Sequence, residues 1–480
     1  RSPSRGLGDV YKRQALAPIL ILSLTAVVLM IQASIKRDQS VAWVITAVGF
    51  LLTLWSASYA RDFIQPVTIL LEVDHWSLFF TSLILMASLV TLVLSKETFS
   101  SEGERKEEYY LLLVLSVLGA VVLIQSSHMV SLLLGMELMG VALYAMIAFP
   151  ERGQLPLEGA VKYLVLSACA SAMLLYGFAL IYAATGELSY AGIGARAALA
   201  YVENPMLMMA GSAMVLAGIG FKLSVAPFHM WTPDVYEGAP TPVTGFLATV
   251  SKSAVFVALS RFYIDGALYQ FSGLNMALVF LAIASMLVGN WLALRQENIK
   301  RLLAYSSIAH FGYLLVVLIA LTYLEADLVS QSITFYLTAY IATTLAAFTI
   351  VSMVAGEDTA KQNISAFAGL FWSRPLEASA LTVAMLSLAG IPLTAGFMAK
   401  FFVITVGIQS GLWGLLAVLV IASAIAIYYY LRIIFAMTQS AQSSGNSANW
   451  QEKLAAIVLM ASILALGSWP QPFIAYAGLL

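Results

Sequence analysis

Five ionisable residues lie within long apolar runs of this sequence, where a charge is costly. They are four lysines and one glutamate: Lys162, Lys222, Lys252, Lys400 and Glu137. A lysine ammonium at the centre of a bilayer costs roughly 2.5–3.5 kcal/mol on insertion scales. Ionisable groups at that depth usually face a bundle interior or a wet cavity, and they mark ion or proton pathways. The five residues therefore predict a charged path through an apolar protein.

Burial gives a lysine the chemistry of a proton carrier. Removal from water disfavours a charged amine, so a buried lysine can exchange its proton near neutral pH, whereas an arginine cannot. Within the apolar runs every cation is a lysine and none is an arginine. A nearby carboxylate restores the charged form, so movement of Glu137 towards or away from Lys222 would load or unload that lysine. The residue types predict a proton relay rather than a substrate pocket.

Two of the lysines also have a local interpretation. Lys162 is four residues from Glu158 at a helix start, so the two could form an ion pair or the lysine could reach the interface. Lys222 is about seven residues, roughly 10 Å, from the end of its run, and its stem could reach water. Lys252, Glu137 and Lys400 are too central for that explanation.

Two histidines and a tyrosine could extend the relay towards water. His229 follows Lys222 by seven residues and would share its helix face if the helix continued past Pro227. His310, in the segment YSSIAHFGY, lies near the hydroxyl of Tyr305. Both histidines could instead be satisfied within the bundle or at the interface, and the two interpretations stay open.

The composition defines the elements that must position these residues. The chain has 480 residues, of which 61% are hydrophobic and 10% charged, against about 25% charged in soluble domains. Its apolar runs are continuous and about 20 residues long, which indicates helices rather than the alternating strands of a membrane barrel. The sequence predicts an all-α polytopic membrane protein that has the lipid bilayer as its solvent.

Several classes of cofactor and ligand have no residues to hold them. The single cysteine, Cys169, excludes disulfides, cysteine-ligated iron–sulfur clusters and zinc ribbons. The four histidines are scattered, and no phosphate-binding or dinucleotide-binding glycine motif is present. We therefore expect no cofactor in this chain, and no nucleic-acid partner.

The apolar runs predict about fourteen transmembrane helices. They begin near Ala15, Val41, Trp76, Tyr109, Met129, Glu158, Met206, Val243, Phe271, Arg301, Val329, Pro375, Leu412 and Lys453. Two runs are interrupted beside a buried lysine: VAPFHMWTPDVYEGAPTPV follows Lys222, and GIPLTAG precedes Lys400. Two broken helices five spans apart indicate two inverted five-helix repeats. We place these repeats at residues 109–263 and 271–437 of one domain, 15–480.

The basic residues predict the orientation. If the first helix starts outside, the cytoplasmic loops hold most of the lysines and arginines, and the opposite loops hold only Arg61, Arg196 and Arg261. Both termini are then on the outer side of the membrane. Residues 1–14, RSPSRGLGDVYKRQ, differ in character from the rest, and we expect them to be foreign to the native protein.

Several long segments resemble a known family. LLLGMELMG, EGAVKYLVLSACAS, GFKLSVAPFHMWTPDVYEGAPTPVTGFLATVSK, NIKRLLAYSSIAHFGYLL and MLSLAGIPLTAGFMAKF are similar to the antiporter-like subunits of respiratory NADH:quinone oxidoreductase. The resemblance covers nearly the whole chain after residue 14. It implies that the glutamate, the four lysines, His229 and His310 named above occupy the family's proton-translocating positions.

The resemblance also implies a setting for the chain. Among these subunits the chain is most similar to subunit N, since it ends soon after its fourteenth span and has Lys400 where subunit M usually has glutamate. The implied partners are other membrane-arm subunits, especially subunit M and the lateral helix of subunit L, in a bacterial inner membrane. FMN and iron–sulfur clusters are expected in partner subunits. The alternative is a subunit of a multisubunit Na⁺/H⁺ antiporter, which has the same helix count and buried lysines.

Overall fold

The computed structural model describes residues 14–61, 65–99, 106–150, 154–356, 358–440 and 449–478. The first thirteen residues of the segment predicted to be foreign lie outside these ranges. Within them the only sheet is a two-residue antiparallel ribbon, β1 (Gln65–Pro66) with β2 (Glu72–Val73). The rest of the described chain is helical or connects helices, as the composition predicts.

Nineteen helices follow one another along the described chain. They are α1 Ala17–Ile35, α2 Gln39–Ala60, α3 His75–Thr98, α4 Lys106–Ile124, α5 Met129–Ile147, α6 Gln154–Thr185, α7 Tyr190–Glu203, α8 Pro205–Leu223, α9 Thr232–Gly238, α10 Thr241–Asp265, α11 Ser272–Ala293, α12 Ile299–Ile319, α13 Ala326–Ala355, α14 Leu370–Ser373, α15 Pro375–Ala389, α16 Ala395–Gln409, α17 Trp413–Thr438, α18 Trp450–Ser468 and α19 Gln471–Ala477. Short 3₁₀ turns cover Leu268–Gln270, Ala320–Thr322, Thr359–Gln362 and Ile364–Phe367.

Thirteen of the helices in the described ranges are long and apolar enough to cross a membrane. The remaining predicted span, the twelfth along the chain, consists of α15 and α16, two half-helices of 15 residues each that are separated by a short break. A second break separates α8 from the short helix α9. The prediction of fourteen spans with two broken helices is confirmed, and the chain is a multi-pass membrane protein.

The packing of the helices supports the predicted internal repeat. In the first half α4 packs on α5, α6 on α8, and α10 on α4. In the second half the helices in corresponding positions do the same: α11 packs on α12, α13 on both halves α15 and α16, and α17 on α11. The domain and repeat boundaries themselves stay a prediction.

Helix ends are set by local sequence. Asp38, Asp74 and Asn298 each accept hydrogen bonds from backbone N–H groups in the first turn of the helix that follows. Proline occupies the first turn of α8 and of α15, where its missing N–H is no loss. These caps satisfy backbone groups that would otherwise be exposed at the membrane boundary.

The bundle has two ends, which we name after the aspartates found there. At the Asp234 end, the start of α10 meets the end of α13, where the Thr241 hydroxyl donates to the carbonyl of Gly356. At the Asp74 end, Ala15 packs in one apolar cluster with Ala60. Both described chain ends lie at the Asp74 end, as an even number of spans requires. The cytoplasmic side stays a prediction, and the basic residues assign it to the Asp234 end.

Candidate functional site

Lys222 lies in the last turn of α8, directly before the first break. Ser224, in the left-handed conformation with φ 62°, ends the helix. The lysine side chain is 4% exposed, and its Nζ donates to the Ser167 hydroxyl at 2.6 Å. Tyr144 donates to the same hydroxyl at 2.5 Å. Lys222 is therefore held inside the bundle, and the interpretation that it reaches water is wrong for this chain.

Glu137 is one helix away from Lys222, on α5. It is half-buried and accepts a hydrogen bond from the Ser171 hydroxyl. The Lys222 side chain reaches α5 one turn after Glu137: a Cβ at Gly140 would lie 3.3 Å from Nζ of Lys222. Glu137 and Lys222 form no ion pair, since each is hydrogen-bonded to a serine of α6. A carboxylate that is near a lysine but not paired with it can favour the charged amine without fixing it in that state.

Lys162 differs from the other lysines because it is 41% exposed at the Asp234 end. Its Nζ is 2.7 Å from the carboxylate of Glu158 and 2.8 Å from that of Asp234. Arg301 completes the network with 2.8 Å contacts to Asp234 and Glu237. The local pairing of Lys162 with Glu158 is confirmed, whereas its predicted part in proton translocation stays a prediction.

The Asp234 carboxylate belongs to the connector outside the membrane-spanning helices. Burial by itself would raise its pKa, but hydrogen bonds from Lys162 and Arg301 and the charges of these two residues outweigh burial and lower the pKa. Asp234 therefore stays ionised at neutral pH and keeps the network together.

Lys252 lies at the centre of the bundle with no exposed surface. It follows a π-helical turn in α10, a distortion frequently found at functional sites. Its Nζ donates to the Ser307 hydroxyl at 2.8 Å, and the Tyr340 hydroxyl donates to the same oxygen at 2.9 Å. The rings of Tyr236 and Phe311 lie 5.3 and 5.6 Å from the ammonium. One hydroxyl and two ring faces thus take the place of water around this charge.

His310 continues the polar cluster from Lys252 towards the second half of the bundle. It is 6% exposed, and its Nδ1 lies 2.7 Å from the Tyr336 hydroxyl. Its Nε2 lies 3.4 Å from the Tyr430 hydroxyl, which is also hydrogen-bonded to Ser306. Its ring packs against Tyr340, the residue that shares a hydroxyl with Lys252. The histidine is thus satisfied by tyrosines and also lies beside the lysine cluster.

Lys400 lies in α16 directly after the second break. The side chain is 7% exposed, and Nζ donates to the carbonyl of Ala389 at 2.9 Å. That carbonyl belongs to the C-terminal turn of α15, which ends at Gly390 with φ +84°. The ammonium also lies 5.4 Å from the centre of the Tyr313 ring. The break lets a buried cation meet the negative end of a half-helix, which is where a cation is stabilised.

His229 and Tyr305 are brought together near the first break, with ring centroids 6.5 Å apart. His229 is 8% exposed, and its Nδ1 has no hydrogen-bond partner in the described part of the chain. Helix α8 ends at Leu223, so His229 does not continue the helix face of Lys222 as the spacing suggested. Lys252 is close enough for its charge to act on the His229 ring.

The prediction that no arginine lies within a span is wrong. Arg261 is 4% exposed in the last turns of α10, and its guanidinium is 2.7 Å from the Asp74 carboxylate. Lys300, assigned to a loop, is fully buried and donates to the carbonyl of Ala239 at 2.6 Å. Both errors have one cause: hydropathy defines where an apolar run ends, and neighbouring helices bury residues beyond that point.

The residues that hold the lysines were not identified from the sequence. Ser167 and Ser307 lie on different helices from the lysines that donate to them, and Tyr340, which donates to Ser307, lies on a further helix. Hydroxyl residues are common in such helices, and their spacing from the lysines along the chain carries no signal. The arrangement provides three buried amines, a carboxylate and an imidazole, each beside hydroxyls, carbonyls or aromatic rings. Such groups can pass protons between them but offer no pocket for a substrate.

The comparisons with known proteins agree with this geometry. Residues 126–426 match the family described as NADH:quinone oxidoreductase/Mrp antiporter, transmembrane. A chain of respiratory complex I from Thermus thermophilus, solved with bound aureothin, is 33% identical over 95% of this chain and 98% of its own length, with a TM-score of 0.84.

Two further solved structures have the same fold. A chain of the membrane-bound sulfane sulfur reductase, an archaeal respiratory membrane complex, is 26% identical over 97% of this chain and 96% of its own length, with a TM-score of 0.84. A chain of the Mrp complex from Dietzia sp. DQ12-45-1b covers the same shares at 18% identity with a TM-score of 0.84. At that identity the similarity shows the fold alone.

Proposed function

The chain belongs to the family of NADH:quinone oxidoreductase and Mrp antiporter membrane subunits, and we propose that it translocates protons as a membrane-arm subunit of respiratory NADH:quinone oxidoreductase. The observation that carries this proposal is the set of three buried lysines, Lys222, Lys252 and Lys400. Each donates to a hydroxyl or a carbonyl, and none has a carboxylate within ion-pair distance among the described residues. An ammonium without a counter-ion can lose its proton at a moderate cost, which a relay requires.

The relay begins where charge can be changed from outside the chain. Glu137 is half-buried in the isolated chain, so a neighbouring subunit can cover it and alter its surroundings. A change in its position or charge alters the electrostatic support that it gives to Lys222. Lys222 then takes up or releases a proton. Redox energy released in partner subunits would act at this point.

The proton then moves towards the second broken helix. Tyr340 connects Lys252 and His310, because its hydroxyl donates to the Ser307 oxygen that also accepts from Lys252, and its ring packs against His310. His310 is close enough to Lys400 for their charges to interact. Repulsion between neighbouring cations favours a single excess proton moving from one group to the next. Lys400 is the last of these buried groups, and it releases the proton to the side opposite uptake.

The wider setting of the proposal follows from the family. We place the chain in a bacterial inner membrane as subunit N, with subunit M and the lateral helix of subunit L as neighbours. FMN and iron–sulfur clusters would belong to partner subunits, and quinone reduction would occur elsewhere in the complex. The 33% identity to the respiratory chain, against 18% for the Mrp chain, supports the oxidoreductase over the Na⁺/H⁺ antiporter.

Deletion and complementation test this function. In membranes from a strain that lacks the gene, NADH-driven quinone reduction and acidification of inverted vesicles are recorded with the wild-type chain or with Lys252→Ala. We expect both activities to depend on the gene, and pumping to fall in the lysine variant while the complex still assembles. Co-purification of FMN and iron–sulfur proteins supports the oxidoreductase. Unchanged NADH oxidation and pumping after deletion would contradict it and favour the antiporter.

A further inference from the structure

A polar cavity of about 380 Å³ opens at the Asp74 end of the bundle, away from the lysines. Its walls come from the starts of α3 and α13, the end of α10 and the end of α19. Asp265 and Asp327 are exposed at its mouth, and Asp74 is half-buried. Arg261 and Thr334 are buried at its floor, with 4% and 1% of their surface exposed. The cavity therefore runs from an acidic mouth to a buried polar floor.

The floor is not fully satisfied by the protein. Two bonds of 2.7 and 2.8 Å join one guanidinium nitrogen of Arg261 to the Asp74 carboxylate, and Glu72 lies 3.7 Å from another. The Nε of the same buried side chain has no hydrogen-bond partner in the described ranges. A buried donor without a protein partner is usually satisfied by water. The cavity has room for several water molecules beside this Nε and is therefore large enough to be hydrated.

The charges lining the cavity select the kind of ligand. Three carboxylates and one guanidinium give a net negative charge. Among the described residues no group of three acidic, histidine or cysteine side chains converges to hold a metal ion. A water-filled cavity with acidic walls and no metal-chelating cluster attracts hydrated cations, hydronium included, and repels anions.

Helix α13 separates the floor from the relay. The Thr334 hydroxyl accepts a hydrogen bond from the Trp76 indole at 2.9 Å. Tyr336, which contacts His310, is two residues further along this helix, and Tyr340 is one turn beyond that. At a rise of 1.5 Å per residue, Thr334 is roughly 3 Å from Tyr336 along the helix axis and roughly 9 Å from Tyr340. Two residues turn a helix by roughly 200°, so Tyr336 projects to the side of α13 opposite Thr334, and the cavity floor and the His310 contacts lie on opposite faces of this helix.

We propose that this cavity is a water-filled, cation-selective vestibule that reaches from the aqueous phase at the Asp74 end to the wall of α13, on the face opposite the His310 contacts. Its use as the outlet for pumped protons rests on the proposed function. Its hydration and charge selectivity do not rest on that function. Arg261 and Asp74 neutralise each other at its base, so the net negative charge of the lining comes from Asp265 and Asp327.

Cysteine labelling tests the vestibule directly, because the sequence has a single cysteine. In a Cys169→Ser background of the assembled complex, Ser330→Cys and Gln331→Cys, both half-buried in the cavity wall, are treated with membrane-impermeant methanethiosulfonates that carry an ammonium or a sulfonate. Rates are divided by those of each reagent with a free thiol. We expect both variants to react from one membrane side only, at least fivefold faster with the cationic reagent. Asp327→Asn, at the exposed mouth, should reduce that ratio.

Thr338→Cys is the matched control on the same helix. Thr338 is one turn deeper than Thr334, 8% exposed, and does not line the cavity, so it should not react. Two results would overturn the proposal: no reaction at Ser330→Cys in an assembled complex, or equal rates with the two reagents. Reaction at Thr338→Cys as fast as at Ser330→Cys would also contradict a cavity that ends at Thr334.

The role as outlet is measured separately. After labelling of Ser330→Cys, NADH-driven acidification should fall at least threefold while NADH oxidation with an uncoupler is retained. Charge-selective labelling with unchanged acidification would confirm the vestibule and reject its role as outlet. Charge-selective labelling in membranes that show no NADH-driven pumping with the wild-type chain would instead contradict the proposed function and leave the vestibule standing.

Discussion

Gly390 is the position where a single methyl group should most directly disturb the relay. A Cβ at this residue would lie 2.8 Å from Cδ of Lys400 and 3.2 Å from its Nζ. The φ of +84° adds backbone strain for any residue with a Cβ. In Gly390→Ala the lysine must move away, and its hydrogen bond to the carbonyl of Ala389 is lost or lengthened.

The size of the effect has two parts. The left-handed conformation costs about 1–2 kcal/mol for alanine. Loss of a hydrogen bond to a charged group costs about 1.5–3 kcal/mol, so the population with Lys400 against the Ala389 carbonyl should fall roughly ten- to hundredfold. The first part lowers stability only, whereas the second changes the site.

Gly411→Ala separates the two parts. Gly411 also has positive φ, at +69°, but a Cβ there meets no atom within 4 Å. We expect both variants to assemble with reduced melting temperatures, the larger reduction in Gly390→Ala, and only Gly390→Ala to lose most of the acidification per NADH oxidised in inverted vesicles. If the two variants pump equally well at equal complex content, the position of Lys400 is irrelevant to translocation and the reasoning fails.

Three further predictions concern other charged sites. Ser307→Ala removes the hydroxyl that accepts a hydrogen bond from Lys252, and leaving this donor unpaired costs about 1–3 kcal/mol. Pumping per NADH oxidised should therefore fall roughly tenfold. Normal pumping would contradict a role for this contact. Glu158→Gln breaks the exposed ion pair with Lys162, which is worth about 0.2–1 kcal/mol. Pumping and melting temperature should both stay near wild type. A large loss of pumping would place the Lys162 network in the relay. For Asp74, burial alone would raise the pKa, but the charge of its arginine partner and hydrogen bonds from Ser77 outweigh burial and lower it. Stability from a carboxyl with a lowered pKa is present above its ordinary value, about 3.9, and is lost as pH falls through the folded value. Asp74→Asn should therefore lower the melting temperature equally at pH 5 and pH 8, and a loss confined to pH 8 would refute the ion pair.

Much of the site could be read from residue types along single helices. Lys222, Lys252 and Lys400 were identified because a charge inside an apolar run is conspicuous whatever packs around it. The two breaks were also visible, since proline and glycine act on the backbone locally. Lys162 was harder, because its exposure depends on how far α6 extends beyond the membrane boundary and on the position of Asp234 in the fold.

The contacts of each charge depended on the assembled bundle. The Ser307 hydroxyl that accepts from Lys252 is 55 residues away along the chain. Tyr340, whose hydroxyl donates to the same oxygen, is a further 33 residues on. The acidic cavity joins the Asp74–Arg261 pair, 187 residues apart, with α13. No periodicity links such positions, because helix-to-helix packing is set by side-chain shape and not by the apolar pattern of either helix.

The sequence by itself determined the solvent of this protein, its fourteen spans, its two broken helices and the charges placed in its interior. These follow from hydropathy and backbone chemistry, which act within one helix at a time. Only the tertiary structure decided which lysines are buried without counter-ions, that Arg261 is buried as well, and where water can enter. Those properties depend on the distance between helices, and that distance exists only once the helices have packed together.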